Sequence, residues 1–185
     1  RLGTMNVAVH AVANSAYSLL YAAPSAVATL AVTVVGQCVG AGDRDLARRY
    51  GKGMVKLGTG INVVALAVLL PLLPLILKLY QAPDNTLTMI YTVLAIAAVC
   101  MPFFWTPSNT LPSVLRSAGD ASFSSYFSLV TMWVIRVGLG YVFAIPLGLG
   151  LPGVWICMCL EWAVRTAVFW KRFSGDKWLS HYQED

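Results

Sequence analysis

Three charged side chains stand inside stretches that otherwise carry no charge: Arg136, Glu161 and Arg165. A carboxylate in such a place can relay protons or cations, and the competing role is an ion pair that pins helices together. Glu161 and Arg165 are one helical turn apart, a spacing that allows contact. Arg136 lies about twelve residues before the turn near Leu147 to Leu151, and Glu161 about thirteen after its start. With a rise of about 1.5 Å per residue, antiparallel helices place them at nearly the same depth. An isolated charge at mid-membrane costs at least about 2.5–3.5 kcal/mol, so pairing is expected. A carboxylate shared by two guanidiniums keeps its charge and makes a poor proton carrier, which favours the structural pair.

A second pattern suits ligand binding. Asn6, His10, Asn14, Tyr17, Tyr21 and Ser25 recur in steps of three and four. On a helix they fall within an arc of roughly 100°. Val9, Val12, Leu19, Ala23, Ala26 and Leu30 are expected on the opposite half. Turning the polar stripe to lipid would be costly, so it is expected to face other helices or an aqueous cavity. Other chemistry finds no support. His10 is the only histidine at membrane depth, and no acidic pair or HExxH-like spacing occurs. An enzyme would need a nucleophile–base pair or metal ligands, so none is expected, and neither is a cofactor. Cys38, Cys100, Cys157 and Cys159 sit in or beside apolar runs without ligand-type neighbours, which points to neither zinc nor a disulfide framework.

The elements that position these residues are written in the composition. The 185 residues are 58% hydrophobic and 11% charged, against about 25% charged in a soluble domain. The charges cluster between long uncharged runs: Leu2 to Gly42 (His10 aside), Leu57 to Leu77, Asn85 to Leu115, Ala121 to Ile135 and Val137 to Leu160. Most reach the roughly 18–20 residues that cross a bilayer as a helix. The fold class is therefore all-α, a polytopic transmembrane bundle. About five spans are expected, near 5–37, 50–77, 86–111, 122–146 and 151–171, with residues 176–185 as a polar tail containing His181. Pro24 predicts a kink or tilt in the first span. Pro102, Pro107 and Pro112 predict a bent or broken third one, its freed carbonyls satisfied by protein or a water-filled cavity.

Loop charges set an expected orientation. Arg44, Arg48, Arg49, Lys52 and Lys56 follow the first span, Arg116 the third, and Lys171, Arg172 and Lys177 the fifth. The other connections are nearly bare. The positive-inside rule puts the basic side, and the C-terminus, in the cytoplasm. The formal net charge of +5 is thus read as membrane anchoring and not as nucleic-acid binding. The first span then enters from outside. No signal peptide precedes it, so at least one earlier helix is expected and the chain reads as part of a longer protein. Two loops on the basic side share a pattern, Gly40-Ala-Gly-Asp43 and Ala118-Gly-Asp120. In each, the glycine is expected to end one helix in the left-handed conformation and the aspartate to cap the next.

The same residues carry a family resemblance. Val35-Gly-Gln-Cys-Val-Gly-Ala-Gly-Asp43 with Leu46-Ala-Arg-Arg49 resembles the loop after an early helix of each lobe in the multidrug and toxic compound extrusion (MATE) family. Leu115-Arg-Ser-Ala-Gly-Asp120 is similar to a later cytoplasmic turn, and Met132-Trp-Val-Ile-Arg136, Gly153-Val-Trp-Ile156 and Glu161-Trp-Ala-Val-Arg165 to the last two helices. The resemblance implies that residues 1–175 are helices eight to twelve of a twelve-helix antiporter, the incomplete C-terminal lobe, whose N-terminal lobe lies elsewhere.

It also implies export of organic cations, drugs or metabolites across the inner membrane in exchange for Na⁺ or H⁺, an activity this stretch alone would not perform. The family's acidic residue on helix seven is not in this chain. At the place of a further aspartate on helix ten it offers Trp105, Ser108, Asn109 and Thr110. A cavity for a bulky cation would be lined by Asn14, Tyr17, Tyr21, Trp105 and Asn109, through cation–π contacts and hydrogen bonds. Two alternatives stand beside this reading. A lipid-linked saccharide flippase of the same superfamily would show more cationic groups than Arg136 in its cavity. A non-transporting membrane scaffold would need neither the polar stripe nor the broken helix.

Overall fold

The computed structural model describes residues 3–79 and 86–180. Among these the chain forms five long helices and no strand: α1 (Gly3–Gly40), α2 (Arg44–Leu79), α3 (Leu87–Ser117), α4 (Ala121–Ala144) and α5 (Gly150–Ser174). Each is long and apolar enough to cross a membrane. The surface is that of a membrane protein, with large apolar side chains facing outward, Val64 (63% exposed), Leu75 (66%) and Trp133 (61%) among them. In water such a surface would aggregate, whereas against lipid it is the favourable one.

Several helix ends lie beyond the expected ones, although α4 stops at Ala144, short of the expected 146. α2 starts at Arg44, not near 50, because the Asp43 carboxylate accepts a hydrogen bond from the Leu46 N–H (2.9 Å), capping the first turn. Gly42 sits at φ +76°, with the Gly42 N–H on the Val39 carbonyl and the Asp43 N–H on that of Cys38, a Schellman end to α1. Gly119 (φ +91°) repeats the pattern after α3, through Arg116 and Leu115. There the likeness ends. Asp120 does not cap α4, as the sequence suggested; its carboxylate accepts from Arg172 Nε at 2.7 Å on α5. A partly buried guanidinium outcompetes backbone N–H groups that already sit at the end of a helix.

α1 passes through Pro24 unbroken. The proline-rich α3 is also unbroken, but it is not regular: Met101–Trp105 is π-helical. A π-turn shifts hydrogen-bond partners by one residue, the Thr106 N–H reaching the Met101 carbonyl, and so lets the helix continue past prolines that have no N–H to give. Side-chain donors reach two backbone carbonyls of this stretch. Ser108 Oγ and Asn109 Nδ2 donate to the Trp105 carbonyl (2.8 and 2.9 Å), and Thr166 Oγ1 of α5 donates to that of Phe104 (2.8 Å). A second π-helical segment, Met132–Leu139, lies within α4 and carries Arg136.

Packing divides into two apolar clusters along the bundle. One joins Val9, Ala13, Tyr17 and Leu20 of α1 to Leu66 and Leu73 of α2, Ile90, Met101 and Trp105 of α3, and Trp155 and Trp162 of α5. The other, at the end of the α1–α2 loop, gathers Val35, Val55, Leu111, Leu115, Phe169, Phe173 and Trp178. Trp178 and Leu179 belong to the expected tail, yet both are buried. The chain folds back after α5, and Trp178 Nε1 donates to the Phe173 carbonyl at 2.9 Å. His181 lies outside the described residues.

Candidate functional site

The charged residues meet as their spacing suggested. Glu161 is buried, 1% exposed, with Arg136 Nε 2.7 Å from one carboxylate oxygen and Arg165 Nη1 3.6 Å from the other. Arg165 also donates to Ser128 Oγ of α4 at 3.0 Å and lies over the Phe169 ring, 5.8 Å from its centre. Its Nε is buried without a partner among the described residues. One carboxylate therefore ties α4 to α5 and compensates two cations. Serine on α4 was not foreseen as part of this group. Its signal was present in Ser124 and Ser128, one turn apart on one face of the serine-rich stretch Ser122-Phe-Ser-Ser-Tyr-Phe-Ser128.

Beside this network stands an aromatic cluster. Trp162 stacks on Tyr17 with ring centres 6.0 Å apart and planes 7° apart. Tyr17 also meets Trp155 (5.7 Å) and Trp105 (6.5 Å) edge to face, and Tyr21 tilts against Trp105 at 5.5 Å. His10 reaches the edge of Trp155 at 5.9 Å. Three helices supply these rings, and quadrupole attraction favours such edge and offset contacts over face-to-face ones. The sequence pointed to Tyr17, Tyr21 and Trp105 but not to the two α5 tryptophans as partners. Trp155, Trp162 and Phe169 recur every seventh residue, which marks one face of α5, and all three are at most 2% exposed.

The polar stripe of α1 does not act as one surface. Tyr17 is buried, His10, Tyr21 and Ser25 are half-buried, and Asn14 is exposed. The side chain of Asn6 lies outside the described residues. Of the six residues expected opposite, Leu19, Ala23, Ala26 and Leu30 are exposed, Val12 is half-buried and Val9 is buried. Asn109 is half-buried and turned back on its own helix, its amide on Trp105 and on Ser108 Oγ (3.3 Å). Tyr17, Tyr21 and Trp105 come together, Asn109 is tied to the Trp105 backbone, and Asn14 stands on the outer side of α1.

A small groove, with room for little more than a water molecule, lies between α1, α2 and α3 and is lined by Ala16, Leu20, Leu69, Leu70, Leu73, Ile76 and Leu94, all apolar. None of the five residues expected to line a cavity borders it. Several buried polar groups have no partner among the described residues: both amide atoms of Asn62, Thr110 Oγ1, Trp155 Nε1 and His10 Nδ1. Asn62 was overlooked in the sequence, although an amide inside Ile61-Asn-Val-Val64 is conspicuous.

The MatE family model matches residues 1–142. The uncharacterized transporter YisQ of Bacillus subtilis is 40% identical over 65 residues, covering 35% of this chain and 14% of its own length. The probable multidrug resistance protein NorM of Pasteurella multocida is 28% identical over 84% of this chain and 34% of its own length. The multidrug resistance protein NorM of Burkholderia vietnamiensis is 31% identical over 83% of this chain, again 34% of its own length. The chain thus spans about a third of the length of these NorM relatives. No solved structure matches. With three quarters of its residues inside the family match, the chain belongs to the MatE family, whose members are transporters and not enzymes.

Proposed function

We propose that the chain is the C-terminal-lobe part of an exporter that moves organic cations or drugs out of the cell in exchange for Na⁺ or H⁺. The Tyr17–Tyr21–Trp105 cluster then contributes the wall that a bulky cation meets. The observation that carries this is the convergence of aromatic rings from three helices at membrane depth, beside unpartnered polar atoms. Ring faces attract organic cations without demanding one shape, as a multidrug substrate range requires. The NorM relatives, named as multidrug resistance proteins, support the drug reading. In this proposal the basic loop ends and the C-terminus are cytoplasmic, the membrane is the inner one, and the partner lobe supplies the rest of the path. Arg136 is engaged by Glu161, so no free cation is left there for an anionic lipid-linked saccharide.

Glu161 serves as a structural counter-ion in this scheme and not as the coupling site, because two guanidiniums hold it. The test is transport by the whole protein in proteoliposomes loaded with a fluorescent organic cation, under an imposed Na⁺ or pH gradient. Tyr17→Ala and Trp105→Ala are expected to slow export about tenfold or more with folding retained, given the roughly 1–2 kcal/mol a desolvated cation–π contact supplies. Glu161→Gln is expected to keep its ion dependence. A folded Glu161→Gln protein that exports equally well with and without the gradient would refute the structural role.

A further inference from the structure

α2 is longer than a membrane crossing needs. Its 36 residues span about 54 Å, against a hydrocarbon core of about 30 Å. The uncharged run Leu57 to Leu77 accounts for the core, which leaves Arg44 to Lys56 in the headgroup layer and beyond it. Within that protruding part Arg49, Lys52 and Lys56 follow steps of three and four, so they share one face, and all three are exposed. None takes part in an ion pair or hydrogen bond among the described residues. The contrast with their neighbours is sharp, for Arg48 pairs with Asp176 and Arg172 with Asp120. Asp45 lies on the same face and pairs with none of the three, which leaves a surplus of positive charge. Gly53 and Gly60 continue the stripe, and a side chain at either would meet nothing within 4 Å. Beyond them the same side of the helix becomes apolar and exposed, with Val63, Val64 and Ala67.

We propose that this face binds an anionic phospholipid. The headgroup phosphate sits among Arg49, Lys52 and Lys56, and an acyl chain lies over Gly60 onto Val63, Val64 and Ala67. Cations at headgroup depth, continuous with a smooth apolar strip at acyl depth, match an amphiphile end to end. A soluble phosphate would use the first half alone. Each basic residue at an anionic membrane surface is worth about fivefold in binding.

The experiment is native mass spectrometry of the detergent-purified protein titrated with phosphatidylglycerol and, separately, phosphatidylcholine. Phosphatidylglycerol is expected to be retained preferentially, and Arg49→Gln/Lys52→Gln/Lys56→Gln to lose that preference by about tenfold or more. Lys52→Arg/Lys56→Arg is expected to keep it, as is Lys78→Gln at the opposite end of α2. Size-exclusion and melting profiles equal to the parent's establish that the triple variant is folded. Equal retention of the two lipids by the parent protein, or an undiminished preference in the folded triple variant, overturns the proposal. Displacement of phosphatidylglycerol by millimolar inorganic phosphate overturns it as well, because the site would then be one for a free anion.

Discussion

In the middle of α5 Glu161 is 1% exposed and held by two arginines, while just past the helix end Asp176 is 93% exposed and pairs with Arg48. Between them Arg172 pairs with Asp120, which is 4% exposed, and lies 4.6 Å from the centre of the Phe123 ring. Every ion pair among the described residues thus has a partner on α5 or in the turn after it, so this one helix is stapled to α2, α4 and the α3–α4 loop by charge. The three staples differ in surroundings and not in chemistry, and surroundings set their worth. Deep in the bundle a lost partner strands a charge without water. At the exposed end water replaces the partner almost without loss.

The largest effect is therefore expected at Glu161. Glu161→Ala leaves Arg136 and Arg165 uncompensated at membrane depth and should cost about 3–5 kcal/mol, the range for breaking a buried pair from one side. Thermal unfolding in detergent checks this, and high salt should not narrow the gap to the parent protein. A loss no greater than that of an Asp176 variant would abolish the contrast between the two regions.

The next effect tests whether the loop end relies on packing instead of charge. Gly51 of α2 faces the Phe173 ring, and an added Cβ would lie 2.8 Å from that ring and 3.3 Å from Val114. The ring cannot simply turn away, because Trp178 stacks on it at 5.1 Å. Gly51→Ala should cost about 1–3 kcal/mol by overpacking, whereas Gly53→Ala, in open space, should not destabilise. A Gly51→Ala protein as stable as the parent would mean that the Phe173–Trp178 stack yields easily.

These contrasts also mark how far the sequence could be read. The five spans were legible because an uncharged run of bilayer length has few other meanings, and the Arg136–Glu161 pairing because a short turn fixes equal depth on antiparallel helices. The aromatic cluster was half legible: periodicity marks the faces of α1 and α5, but which rings touch depends on how the helices are rotated. Asp120 was misread because its competitor, Arg172, is 52 residues away. The π-turn in α3 was out of reach for a related reason. Three prolines announce missing hydrogen bonds, yet whether a helix breaks or widens depends on the donors its neighbours bring, such as Thr166.

The smallest effect is expected at the exposed end. Arg48 does more than pair with Asp176; it also donates to the carbonyls of Ser174 (3.5 Å) and Gly175 (3.2 Å). Asp176→Asn keeps the size of the side chain and leaves those backbone contacts in place, so it isolates the charge. The loss should be under about 1 kcal/mol and should vanish in high salt, since solvent and ions already screen a pair of this kind. Arg48→Ala should cost more than Asp176→Asn, because two carbonyls at the end of α5 lose their donor. Melting curves of both variants at low and high salt distinguish the contributions. A salt-sensitive loss in Asp176→Asn equal to that in Arg48→Ala would show that charge, and not the capping of α5, holds the returning chain against α2.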